Sequence, residues 1–272
     1  MDQSVLYAFA LTLFAGLSTG IGSAIGLFSK KTNYKVLSLA MGFSAGVMIY
    51  ISFVELFMTG RESLVHALGT KLGNWTVVGS FFAGIALIAV IDKLVPHEEN
   101  PHEFDHTEDL KIAEKTMQKQ HPSKLLRTGL VTALAIAIHN FPEGMATFAG
   151  AMQDIKLGIP IAIAIAIHNI PEGLAVSVPI YYSTGDRKKA FLYSFLSGLA
   201  EPLGALIGYF LLHSFFTEAV MGVVFGAIAG IMVFISFDQL LPAAEQYGAH
   251  HISIYGLLAG MMVMAVSLLL FL

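Results

Sequence analysis

AIAIHNFPEG (Ala135–Gly144) and AIAIHNIPEG (Ala164–Gly173) share nine of their ten residues. Each lies inside a long run of Ala, Ile, Leu and Val. A histidine, an asparagine, a glutamate and a proline are all unwelcome in such surroundings, because a buried polar group without a partner costs several kcal/mol. On a helix, His139 and Glu143 lie four residues apart and Asn140 and Glu143 three apart, so both pairs share a face. His168, Asn169 and Glu172 repeat the pattern. Pro142 and Pro171 each lack an amide donor and push away the carbonyl four residues earlier, here those of Ile138 and Ile167. Gly144 and Gly173 leave room beside each kink.

The surroundings are those of a membrane protein. The 272 residues are 56% hydrophobic and 12% charged, with a mean hydropathy of +0.72, whereas soluble domains carry about 25% charged residues. A helix crosses a bilayer core with roughly 20 apolar residues. Eight such runs are legible, at about 4–28, 36–58, 75–92, 126–150, 157–181, 190–212, 216–238 and 252–271. The two motifs fall in the fourth and fifth. The spans use most of the chain, so 1–272 reads as one transmembrane domain with a loop at 93–125. The first run is too long for a signal-peptide core and lacks a small-residue cleavage pattern, which makes it a retained helix. There is no Cys, which excludes disulfides and thiolate metal sites. No basic patch suited to nucleic acid occurs.

Short cytoplasmic loops carry an excess of Lys and Arg. Of the fifteen such residues, twelve fall in the loops after spans 1, 3 and 5. Lys30, Lys31 and Lys35 mark the first of these loops, and Arg187, Lys188 and Lys189 the last. Only Arg61, Lys71 and Lys156 fall on the other side. The first set is therefore inside, and eight spans put both termini outside.

A second repeat flanks the motifs. AGVMIYISFVEL (Ala45–Leu56, span 2) matches AGIMVFISFDQL (Ala229–Leu240, span 7) at seven of twelve positions. At nearly the same offset, Gly16, Leu17, Gly22, Ile25, Gly26 and Phe28 of span 1 fall on Gly198, Leu199, Gly204, Ile207, Gly208 and Phe210 of span 6. The paired spans cross the membrane in opposite directions. Inverted repeats mark secondary transporters, whose substrate sites lie near the midplane at the repeat interface. Spans 1–3 and 6–8 are thus expected as the repeats, with spans 4 and 5 between them.

The motifs also agree in depth. Both lie some 20–24 Å from the external turn near Asp154–Lys156, at roughly 1.5 Å per residue. Two antiparallel helices then offer each other two His, two Asn and two Glu. Imidazole, amide oxygen and carboxylate without thiolate suit Zn²⁺, Fe²⁺, Co²⁺ and Mn²⁺, and the ions would offset the burial of the carboxylates. Six polar groups duplicated at one depth exceed what hydrogen-bonded core residues require, and ionisable residues within the membrane mark function.

HNFPEG and HNIPEG on the fourth and fifth of eight spans resemble the signature helices of the ZIP family of divalent metal transporters, most closely its bacterial branch with the motif in both helices. SGLAEPLG (Ser197–Gly204) resembles that family's third metal-bearing helix. The resemblance covers the whole chain. It implies an all-α integral membrane protein with a 3+2+3 bundle and a binuclear centre between spans 4, 5 and 6. One site would use His139, Glu143, His168 and Glu172. The other would use Asn140, Glu143, Asn169, Glu172 and Glu201, with Glu143 and Glu172 bridging. The implied cargo is Zn²⁺ and Fe²⁺, with Co²⁺, Mn²⁺ and Cd²⁺ as further candidates. No cofactor is expected, the location is the plasma (inner) membrane, and a homodimer is a candidate assembly. The repeat mate of Glu201 is Thr19, so the fold symmetry is kept there while the ligand is not.

Glu55 and Asp238 stand near the ends of spans 2 and 7, where either a metal route or headgroup water accounts for a carboxylate. The inner loop PHEENPHEFDH (Pro96–His106) combines three histidines with four acidic residues, a composition that binds metal weakly or is simply solvated. A metalloenzyme is the main competitor to a carrier. Hydrolysis of the HExxH type needs that motif, which is absent, and the duplicated ligands leave no asymmetric base. A metal channel shares every one of these features.

Overall fold

A computed structural model describes residues 3–28, 34–94, 122–212, 217–247 and 250–270. Every element among them is helical, and they form eight rods. α1 is Gln3–Phe28. α2 (34–68) joins Tyr34–Ile51 to Phe57–Leu68 through a wide π turn, Ser52–Leu56. α3 is Thr70–Leu94, α4 Pro122–Gln153 and α5 Ile155–Thr184. α6 (187–212) bends at Leu199, between Arg187–Gly198 and Ala200–Leu212. α7 (218–247) carries a second π turn, Ser236–Leu240, between Glu218–Ile235 and Leu241–Tyr247. α8 is His250–Leu270.

Seven rods are long and apolar enough to cross a bilayer. The eighth, α4, has 32 residues, about 48 Å of helix, and its first turns carry Lys124 and Arg127 while its middle carries HNFPEG. Several rods run past the apolar stretches that announce them. α2 continues through the polar segment GRESLVHAL to Leu68, because hydropathy marks where the bilayer ends and not where helical hydrogen bonding ends. Gly69 stops it at φ +80, and α3 begins one residue later. Arg61 ties the two rods together, its Nε donating to Asn74 Oδ1 at 2.6 Å.

Side-chain caps set the tight connections. Asp154 alone separates α4 from α5 and accepts from the Lys156 amide at 2.9 Å. Gly185, at φ +66, ends α5, and Asp186 accepts from the amides of Lys188 and Lys189 to start α6. Thr217 Oγ1 accepts from Val220 N at the head of α7. Such caps satisfy amide donors that the first helical turn leaves free.

The rods pack as two sets. Of the seven apolar rods α5 is the most enclosed, and it packs against α1, α4 and α6; α4 lies along the second half of α6. In the other set, α8 packs on α2, and α7 on α3. α3 and α8 bury the least of their surface and present Trp75, Phe82, Tyr255 and Met262 outward. An apolar exterior of this kind matches lipid as solvent.

Glycines set the closest approaches, and these come in pairs. Gly144 lies against the Glu201 carbonyl, and Gly173 against that of Thr19. Gly204 abuts the Phe141 carbonyl, and Gly22 that of Ile170. Gly16 and Gly198 meet each other's carbonyls where α1 crosses α6. Small residues let helix backbones approach in this way.

The two π turns fall on ISFVEL and ISFDQL. In each, the serine hydroxyl donates to the carbonyl four residues back, Ser52 to Met48 at 2.6 Å and Ser236 to Met232 at 2.8 Å. A side-chain bond of this type competes with the backbone ladder and loosens it. Phe57 N and Leu241 N then bond five residues back, to Ser52 O and Ser236 O. Glu55 and Asp238 sit within these turns, half-buried in mid-rod, rather than at helix ends as expected from the apolar spans.

Candidate metal centre

The motifs face each other as antiparallel helices. Asn140, Glu143, His168, Asn169, Glu172 and Glu201 are all fully buried. His139 lies on α4, but its side chain is outside the described residues, as is the His-rich loop at 95–121. His168 Nε2 lies 3.4 Å from both carboxylate oxygens of Glu143. This contact links α5 to α4 at the level of the two prolines.

The asparagines tie the motif helices to the flanking ones. Asn140 Nδ2 donates to Ser197 O at 3.2 Å. Asn169 Nδ2 donates to Ala15 O at 3.0 Å and also to Glu201 Oε1. Both amides are therefore anchored through nitrogen. Asn140 Oδ1, Asn169 Oδ1 and Glu201 Oε2 are buried and meet no hydrogen-bond donor. Native proteins pair nearly all such groups, and buried amide and carboxylate oxygens without donors are what a cation satisfies. The donor set fits a divalent metal on this ground. Among the described residues, which leave out the His139 side chain, no three His, Asp or Glu side chains form a metal-holding group by themselves.

The backbone around the ligands is also held. Thr147 Oγ1 donates to Glu143 O at 3.0 Å and Ser194 Oγ to Gly173 O at 3.1 Å. Ser44 of α2 donates to the His168 carbonyl at 3.4 Å, joining the two helix sets at the ligand level. Sequence patterning did not single out Ser44 or Ser194; a lone serine in an apolar helix carries no signal of which carbonyl it will meet. A cavity of about 390 Å³ opens beside the α4–α5 turn, between Ser63 of α2, Met152 and Gln153 of α4, and Thr217, Glu218 and Met221 of α7.

The chain matches the ZIP zinc transporter family over residues 92–268. It belongs to the ZIP family. Similarity to relatives extends beyond that segment to the whole chain. Proteins called zinc transporter ZupT are 61% identical in Clostridium perfringens, over 99% of this chain and 97% of the relative, and 62% identical in Chlorobium chlorochromatii, over the whole of both. The ZupT of Streptococcus mutans is 60% identical, again over the whole of both. Membership in the ZIP family makes this chain a multi-pass membrane transporter of divalent metal and not an enzyme.

Proposed function

We propose that this ZIP protein carries Zn²⁺ across the plasma membrane into the cytoplasm, with Fe²⁺, Co²⁺, Mn²⁺ and Cd²⁺ as further cargo. The observation that carries the reading is the set of buried, unpartnered oxygens on the paired motifs and α6, Asn140 Oδ1, Asn169 Oδ1 and Glu201 Oε2. One subsite uses His139, Glu143, His168 and Glu172. The other uses Asn140, Asn169 and Glu201 with the same two carboxylates, Glu143 and Glu172, as bridges. His168 beside Glu143 supports the first, and Asn169 beside Glu201 supports the second. The zinc named for the ZupT relatives supports the cargo.

Spans 1–3 and 6–8 act as inverted repeats around the central pair, in a 3+2+3 bundle with both termini outside. The paired approaches support this: Gly16 and Gly198, Gly22 and Gly204, and Gly173 and Gly144 make equivalent contacts on opposite sides of the motif pair. In this orientation the cavity beside Glu218 lies on the outer face and serves as the mouth. The set containing α1, α4, α5 and α6 shifts against α2, α3, α7 and α8 to expose the ligands first outward and then inward, the alternating access typical of inverted-repeat carriers.

Uptake into proteoliposomes tests this. Zn²⁺ accumulates at a rate that saturates with concentration, and a competition panel ranks the other cations. Runs with and without a proton gradient show whether carboxylate protonation is coupled to release. A rate linear in Zn²⁺ concentration would make the protein a channel, and no uptake at all would end the proposal.

A further inference from the structure

The near-symmetry around the motif pair singles out one residue that the family ligands leave aside. Asn169 donates to Ala15 O of α1, and Asn140 donates to Ser197 O of α6. Ala15 and Ser197 are repeat mates in the alignment that pairs Gly16 with Gly198. Gly173 lies against Thr19 O, and Gly144 against Glu201 O; Thr19 and Glu201 are mates in the same register. The two residues therefore hold equivalent places, each one turn from the α1–α6 glycine crossing. Glu201 uses its place to reach the Asn169 amide. The equivalent of Asn169 is Asn140.

Thr19 behaves unlike the other helical threonines near it. A buried threonine in a helix ordinarily donates to the carbonyl four residues back, as Thr12 does to Ala8 O at 3.0 Å and Thr147 to Glu143 O at 3.0 Å. The corresponding carbonyl for Thr19 is Ala15 O, which already accepts from Asn169. Thr19 is fully buried, and its hydroxyl oxygen has no partner. Asn140 Oδ1, on the side of the site that symmetry assigns to Thr19, has none either.

We propose that Thr19 is a further residue of the metal centre, its hydroxyl standing to Asn140 as the Glu201 carboxylate stands to Asn169 and giving the asparagine-bearing subsite a neutral oxygen donor. The inference rests on the metal-centre reading above and adds a residue from α1 to it. A hydroxyl in that place supplies a ligand without adding a fourth negative charge to Glu143, Glu172 and Glu201. The subsite then has one charged flank and one neutral flank, which sets its preference among oxygen-seeking cations.

The test is a binding measurement on the purified full chain in detergent, with Zn²⁺ followed by calorimetry and Co²⁺ by its visible absorption. The parent binds two ions in two steps. Thr19→Val keeps the shape and removes the hydroxyl; it weakens the step assigned to the asparagine subsite about fivefold, the effect of one lost neutral polar contact, and leaves the other step in place. Thr19→Ser restores the parent behaviour. Thermal melting of the three metal-free proteins separates ligation from packing. Two unchanged steps in Thr19→Val overturn the assignment, as does a Thr19→Ser protein as weak as the valine variant. A parent that binds no Zn²⁺ overturns the metal-centre reading itself, and with it the role of Thr19. A parent that binds two ions, with Thr19→Val matching it in both affinities, overturns the Thr19 role alone.

Discussion

At the scale of single residues, carboxylates that are buried at 0% exposure demand a counter-charge. Without metal, Glu143, Glu172 and Glu201 share a low-dielectric interior. Two consequences follow for stability. Metal that binds only the folded form stabilises it, by about 2.7 kcal/mol at a hundredfold excess over Kd, so Zn²⁺ raises the melting temperature of the parent and its removal by chelator reverses the rise. In Glu143→Gln the melting temperature no longer rises with Zn²⁺. For transport, Glu143→Ala or Glu172→Ala lowers Zn²⁺ uptake about a hundredfold or more, while Glu201→Ala lowers it about tenfold, since on the proposed ligand set each of the first two would serve two ions and Glu201 one. Initial rates in liposomes loaded with a zinc-sensitive dye check the order. The candidate ligands stood out in the sequence because His, Asn, Pro and Glu recur at fixed spacing where each is costly. The contact of Ser44 did not, because its meaning lies in which helix it meets, and an apolar helix with small residues on several sides does not name its neighbour.

At the scale of elements, the glycines and the π turns carry the argument. A side chain at Gly144 would meet the backbone of Glu201 on the neighbouring helix. Neither rod can give way, since α4 is also held against α5. Gly144→Val therefore lowers the melting temperature by an overpacking cost of about 1–3 kcal/mol, and binding at the Glu201 subsite falls with it. The π turns make a different demand. Each holds one residue more than an α turn, and such turns recur at functional sites. Deleting Val54 heals the wide turn of α2 while leaving both flanking segments helical. The expected product is folded, binds Zn²⁺ with parent affinity and transports about tenfold more slowly; unchanged transport would show that the turn is passive. Hydrophobic periodicity foretold helices here but not the wide turns, because one extra residue in a rod shifts the apolar face too little to interrupt a span. The duplicated ISF sequence was nevertheless visible, and its serines make the same back-bond in both turns.

At the scale of the whole molecule, the count of Lys and Arg assigned an orientation that follows from loops alone. The chain has no Cys, so single cysteines report sidedness cleanly. Asp2→Cys reacts with an impermeant thiol reagent from outside, and Lys188→Cys only after the membrane is opened; the reverse pattern would invert the proposed transport direction. The all-helical fold and most of its apolar rods were legible, since hydropathy reports directly on the bilayer. The division into two packed sets was not. It depends on glycine contacts between rods distant in sequence, such as Gly46 of α2 against Leu257 of α8 and Gly230 of α7 against Phe81 of α3.

The central claim is that two motifs on facing helices hold the transported metal between them. Its most direct test counts Zn²⁺ bound per purified chain while measuring uptake by the same preparation in liposomes, for the parent and for Glu143→Ala with Glu172→Ala combined. The account predicts two ions and saturable uptake for the parent, and loss of both in the double variant, whose helical content and monodispersity remain those of the parent. Saturable uptake that persists in the folded double variant would contradict it.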